Sequence, residues 1–152
     1  RGLPLGITRV GVHTGEAIIG SFGGERLFDY TAYGAAVNLA ARLEQANKRL
    51  GTRLCVSAAT VSRIPGFRGR PAGELVVSGS AEPVKAFEPL TEAAAATPAA
   101  TRYAEAYALL EAGEPAAKPV LAEIIGLDAD DALAAFHLGR VLGGESGVRI
   151  TL

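Results

Sequence analysis

Asn38 and Arg42 stand four residues apart in the run Val37-Asn-Leu-Ala-Ala-Arg-Leu-Glu44. In a helix that spacing puts both side chains on one face. An amide and a guanidinium held side by side on a rigid element can donate to a phosphate or to an anionic transition state. The same spacing also fits an ordinary solvated helix face, where polar pairs one turn apart are common. His13 invites a metal or general-base role, but the second histidine, His137, is remote in sequence, and no His/Cys/Asp cluster has ligand spacing. We read His13 as a structural turn residue. Gly20, Gly23 and Gly24 could cradle a phosphate, but no Gly-Lys-Ser/Thr follows them, and a hairpin loop is the preferred reading. Asp128, Asp130 and Asp131 lack the spaced ligands and glycine of a calcium loop, and are read as acidic capping of the helix that follows.

The elements that must position Asn38 and Arg42 are a strand over Leu27 to Tyr33, a turn at Gly34, and a helix from about Ala35 to Leu50 with Gly51 as its C-terminal cap. Leu39, Leu43 and Leu50 form the apolar stripe that buries this helix. Upstream, Ile7 to Val12 alternates and is β-branched, which predicts a strand. After a turn at His13 to Glu16, Ala17 to Ile19 is expected to close a hairpin with it near Gly20. Downstream come a short strand at Arg53 to Ser57 and a brief helix over Ala58 to Arg63, capped by Ser57 and stopped by Pro65-Gly66. Phe67 to Ser78 and Val84 to Pro89 then form a hairpin across Gly79-Ser80-Ala81-Glu82-Pro83. Such alternation implies an α+β sheet domain with helices packed on it.

Residues 91–100 (TEAAAATPAA) are Ala-rich and are read as a linker. Beyond them the pattern is helical, with a stripe at Tyr103, Tyr107 and Leu110 ended by Gly113. A second helix follows from about Pro115 to Ile125, and a third over Ala132 to Leu142. The expected organisation is 1–90, 91–100 and 101–152. The tail looks like one tetratricopeptide-type helix pair plus a helix. A single such repeat cannot bury its own face, so it should pack on the sheet domain or on a partner.

The chain has 152 residues, of which 49 % are apolar and 20 % charged, enough for one domain with a sizeable core. A net charge of -1 gives no electrostatic case for nucleic acid or an anionic membrane surface. The one cysteine, Cys55, has no partner for an internal disulfide and is expected to be a buried thiol. No apolar run approaches the roughly 20 residues of a membrane helix, and no signal peptide is visible. The sequence starts at Arg1 and contains no methionine, so a piece of a longer polypeptide is expected.

Taken in order, Arg9-Val-Gly-Val-His-Thr-Gly15, Gly20-Ser-Phe-Gly23, Asp29-Tyr-Thr31, Gly34 and Val37-Asn38-Leu-Ala-Ala-Arg42-Leu-Glu44 resemble the C-terminal half of a class III adenylate/guanylate cyclase catalytic domain. The likeness covers about residues 7–90. It implies a ferredoxin-like α+β fold without its opening elements, and conversion of ATP to 3′,5′-cyclic AMP and pyrophosphate in signal transduction. A guanylate cyclase using GTP is the nearest alternative, and a catalytically degenerate dimerisation or regulatory domain is another.

In such enzymes the ribose 3′-oxygen attacks the α-phosphorus in line, with two metal ions assisting. By this resemblance Asn38 orients the ribose, Arg42 stabilises charge at the α-phosphate, and Thr31 is one of two purine-reading side chains, favouring ATP. A plain β-former on a strand is the other reading of Thr31. The cofactor implied is Mg2+ or Mn2+. The family's two metal-binding aspartates and its purine-reading lysine precede the matched region and are absent from these residues, and Asp29 is misplaced for that role. This piece alone is therefore expected to be inactive. Two further departures are Ala35 after Gly34, where Asp or Asn is usual, and Ser78-Gly79 in place of a phosphate-contacting Lys-Gly. The resemblance also implies a homodimer with active sites shared between protomers. The tail resembles extensions of membrane-anchored bacterial cyclases, so a cytoplasmic domain with an N-terminal sensor or membrane region is expected.

Overall fold

The computed structural model describes residues 6–24, 27–77 and 82–152, and these form a mixed α+β fold. Five strands make the larger sheet: β1 (Val10–Val12), β4 (Leu54–Ser57), β5 (Gly69–Val76), β6 (Val84–Pro89) and β7 (Arg149–Thr151), in the order β1-β4-β6-β5-β7. The β5–β6 hairpin and the β4–β6 pair are antiparallel, whereas β1 joins β4, and β7 joins β5, in parallel. A separate antiparallel pair is built from β2 (Ile18–Gly24) and β3 (Leu27–Tyr33). Ser78 and the expected turn at Gly79-Ser80-Ala81 lie outside the described residues.

This pairing corrects the sequence expectation at two points. The strand at Val10–Val12 does not form a hairpin with the one that follows Ala17; it runs beside Leu54–Val56. Gly11 supplies the reason. A Cβ there would come within 2.2 Å of the Ala40 carbonyl oxygen and the Glu44 amide nitrogen, so β1 can press directly against helix α1 (Ala35–Leu50). The glycine-rich stretch Gly20–Gly24, expected to be a loop, instead pairs residue for residue with β3, from Ile18 opposite Tyr33 to Gly24 opposite Leu27.

Helix α1 covers the range its sequence predicts and ends on Gly51, whose φ of 75° is left-handed and strained for any other residue. Leu43, Ala46 and Leu50 on its inner face are buried, and Leu39 packs against them. Asn47 is buried among these apolar residues and fully used. Its amide donates to the carbonyls of Val10 (3.0 Å), Leu43 (3.1 Å) and Glu44 (3.2 Å), and its oxygen accepts from the Thr52 hydroxyl at 2.7 Å. One side chain thus ties helix to strand. Helix α2 (Ala58–Val61) begins on Ser57, as its sequence predicts.

The Ala-rich stretch carries α3 (Glu92–Ala95), capped by Thr91, and the start of α4 (Pro98–Glu111), capped by Thr97 with Pro98 in the first turn. Helices α5 (Ala117–Leu127) and α6 (Ala132–Leu142) follow. They share one hydrophobic core with the sheet, in which Leu43, Leu75 and Ile150 cluster with Tyr103, Leu121 and Leu133. Polar contacts help to fasten the tail and order it internally. The Tyr103 hydroxyl donates to the Pro71 carbonyl at 2.9 Å. The Arg70 guanidinium makes two bonds to Asp131, at 2.5 and 2.8 Å, and one to Glu88 at 2.8 Å. Arg140 donates to the carbonyls of Gly147 and Arg149, which leads the chain into β7. Among the described residues no helix is long and apolar enough to cross a membrane.

Candidate active site

Helix α1 is held at both ends. At its start, Gly34 adopts φ 141° and packs near the Glu16 carbonyl, while its own carbonyl accepts from the amides of Val37 (3.2 Å) and Asn38 (3.3 Å). No side chain caps this end, and no acid lies in its first turn, as expected from Ala35. The loop beneath it is pinned by two side-chain bonds. His13 Nδ1 pairs with Ser57 Oγ at 2.8 Å, and Thr14 Oγ1 with Thr60 Oγ1 at 2.9 Å. Burial holds the His13 pKa below its usual value, favouring the neutral ring. His13 therefore acts as a strut between β1 and α2.

With its inner face anchored, α1 turns Asn38 and Arg42 outward, and both are exposed. The two share one helix face, as their spacing requires. Arg42 borders a cleft of about 220 Å³ formed with Gln45, Ala46 and Arg49 of α1 and with Val77 and Leu152. Thr31 is exposed on β3, opposite Gly20 and just before the Gly34 junction, and is not part of that cleft's lining. Gln45 and Arg49 are residues that the motif reading missed. Their signal was present, because Arg42, Gln45 and Arg49 follow the three- and four-residue steps of one helix face. The cleft offers the Arg42 guanidinium and the Gln45 amide, donors suited to an anion, beside two apolar side chains, while the Arg49 guanidinium donates to the Thr151 carbonyl.

Among the described residues no group of three or more His, Cys, Asp or Glu side chains could hold a metal ion. The aspartates near residue 130 are otherwise engaged. Asp131 accepts from the Ala134 amide as the N-cap of α6, and Asp128 accepts from the Asp130 amide. Cys55 is buried, and burial followed by the charge of Glu88 pushes its thiol up to about 12, which makes it inert. Ser78 cannot be placed relative to the cleft, since it lies outside the described residues.

Comparison with known proteins gives a consistent set of matches. Residues 6–88 match the family model of the adenylate and guanylate cyclase catalytic domain. "Adenylate cyclase 1" of Rhizobium meliloti is 40 % identical over 88 residues, covering 57 % of this chain and 13 % of that protein. The terminal-differentiation-specific adenylate cyclase of Dictyostelium discoideum is 38 % identical over 85 residues, covering 53 % of this chain and 4 % of that protein. The chain thus spans only a small part of the length of these relatives. Among solved structures, an adenylyl cyclase from P. aeruginosa is 33 % identical, with a TM-score of 0.49, over 55 % of this chain and 42 % of that one.

Proposed function

The chain belongs to the adenylate and guanylate cyclase catalytic domain family, and from that premise we propose that it supplies the nucleotide-facing helix of a class III adenylate cyclase acting in signal transduction. The observation that carries this reading is the two-sided character of α1. Its apolar face is locked to the sheet, and its exposed face bears Asn38 and Arg42. In the reaction we propose, Asn38 hydrogen-bonds the ribose and aims its 3′-oxygen at the α-phosphorus. Arg42 takes up the negative charge that builds on the α-phosphate oxygens as pyrophosphate leaves. Thr31 contacts the purine and favours ATP over GTP. Loss of a donor that stabilises developing charge costs about 10²–10³ in rate.

The residues described here do not fit a metal site. In this proposal the carboxylates for Mg2+ or Mn2+ lie in polypeptide beyond this chain, and its own residues contribute nucleotide and phosphate contacts. The proposal extends to a ferredoxin-like core, a homodimer whose sites are shared between protomers, and a tetratricopeptide-type character for the tail. By the resemblance of that tail to extensions of membrane-anchored bacterial cyclases, it also extends to a cytoplasmic domain of a sensor protein. A second reading, a degenerate regulatory domain, is favoured by one observation: the start of α1 has no side-chain cap.

The test is cyclic AMP formation from Mn-ATP by the full-length gene product. Asn38→Ala and Arg42→Ala should each lower kcat about 10²–10³-fold without lowering the melting temperature. Unchanged activity in both variants would remove the proposed roles. A wild-type protein inactive on both ATP and GTP would favour the degenerate domain.

A further inference from the structure

Arg49 lies seven residues after Arg42, two helical turns along the same face of α1 and about 10 Å away along its axis. Its guanidinium donates to the backbone carbonyl of Thr151, the last residue of β7. The next residue, Leu152, donates its amide to the Val76 carbonyl at 3.3 Å, and its side chain forms a wall of the cleft that Arg42 borders. The tail touches α1 at a second place. Gly51, the C-cap, lies so close to α6 that a Cβ there would come 2.6 Å from the Ala132 Cβ. The C-terminal half of the Arg42 helix is therefore fastened by the tail, as its start is fastened by the His13 loop.

We propose that strand β7 is a positioning element for Arg42, and that Arg49 is the residue through which it acts. This rests on the reading of Arg42 as the α-phosphate residue. β7 is itself well anchored, paired in parallel with β5 from Glu74 opposite Arg149 to Val76 opposite Thr151. Ile150 is buried in the common core, and Arg140 holds the approach to the strand. A guanidinium bonded to such a strand resists sliding or rotation of the helix that carries it. Arg42, on the same face, inherits that constraint, and the Leu152 side chain limits where its own guanidinium can swing. Charge stabilisation in a transition state depends on such placement, and an error of about 1 Å can cost as much as 10²-fold in rate. An exposed latch that shifts the helix only in part should cost less, about three- to tenfold.

The experiment uses the full-length gene product with Mn-ATP and compares wild type, Arg42→Ala, Arg49→Ala and Arg49→Lys. Arg49→Ala should lower kcat about three- to tenfold, with KM and melting temperature close to wild type. Arg49→Lys, which can still donate to the Thr151 carbonyl, should recover most of the loss. If Arg42→Ala abolishes activity while Arg49→Ala keeps the wild-type kcat, the positioning role is refuted and the reading of Arg42 stands. A rise in KM alone for Arg49→Ala refutes it too, since that result marks a direct contact with nucleotide. If Arg42→Ala retains activity, the functional reading fails first, and the positioning role fails with it.

Discussion

Replacing Asp131 with asparagine should weaken the tail's contact with the sheet and lower the stability of the whole chain. The Arg70 and Asp131 side chains are only 14 % and 4 % exposed, and the Arg70 guanidinium also sits 4.5 Å from the centre of the Tyr103 ring. Burial works to lower the Arg70 pKa, but the bond to Asp131 and the charge of Glu88 outweigh it and hold the value above the usual range. Removing one partner of a buried ion pair costs about 3–5 kcal/mol, because the other charge is left uncompensated. Glu88 remains to compensate Arg70 in part, so the expected cost of Asp131→Asn is about 2–4 kcal/mol. Asparagine still caps α6. Asp131→Ala removes that cap as well and should cost about 1 kcal/mol more. The assay is urea unfolding of the 152-residue chain at pH 7, followed by circular dichroism. A double-mutant cycle with Arg70→Met isolates the pair and should give a coupling of at least about 1 kcal/mol. An Asp131→Asn variant within about 0.5 kcal/mol of wild type would refute the reasoning, since that is the usual effect of a surface change.

Acid should loosen the same contact through His137. The ring is fully buried beside Tyr103, Tyr107 and Phe136. Burial, then the charge of Arg140, lowers its pKa to about 4; the Ala72 backbone opposes this, Arg70 adds to it and Asp131 opposes it. The folded value lies below the unfolded one, so the stability contribution is whole above pH 6.5. It declines as pH falls towards 4, by about 3 kcal/mol at 1.36 kcal/mol per unit. Unfolding free energies measured between pH 7 and 4.5 should show this decline in wild type and a shallower one in His137→Asn; parallel curves would argue against it. Gly11→Ala should drive β1 away from α1 and cost about 3 kcal/mol or more by overpacking, visible as a lowered urea midpoint; a midpoint equal to wild type would mean that the contact is not tight.

Helix α1 was legible in the sequence because its signals are local. The leucine stripe sets its inner face, and Gly51 sets its end. The same holds for α6, where Asp131 is both the cap and the first visible stop in the pattern. The pairing of β1 with β4 was not legible, since a strand carries no local mark of its partner. What decides it is Gly11 against the α1 backbone, a contact between residues about 30 positions apart. Composition hid the helix at 92–95 and the first turn of the one at 98–111, although Thr91 and Thr97-Pro98 are ordinary helix starts; the rest of that second helix was legible from the Tyr103, Tyr107 and Leu110 stripe. Strand β7 has three residues with one buried side chain, Ile150, too short for alternation to register. At the candidate site, the Asn38 and Arg42 face was readable from spacing. The wall opposite Arg42 was not, because Val77 and Leu152 reach it from distant parts of the chain.

The pairing of β5 with β7 also bears on how the protein comes to be made. Glu74 and its partner Arg149 are 75 positions apart, so β5 leaves the ribosome long before the strand that covers its outer margin exists. At about 5–20 residues per second, that interval is roughly 4–15 s. Through it the nascent sheet presents unpaired amides and carbonyls, which invite pairing with a second nascent chain. Arg70 also waits during this time for Asp131, and Tyr103 arrives before either partnership is complete. The outer margin of β5 thus stays unpaired until the late arrival of β7, and shortening the delay at the ribosome should raise the yield of correctly folded chain.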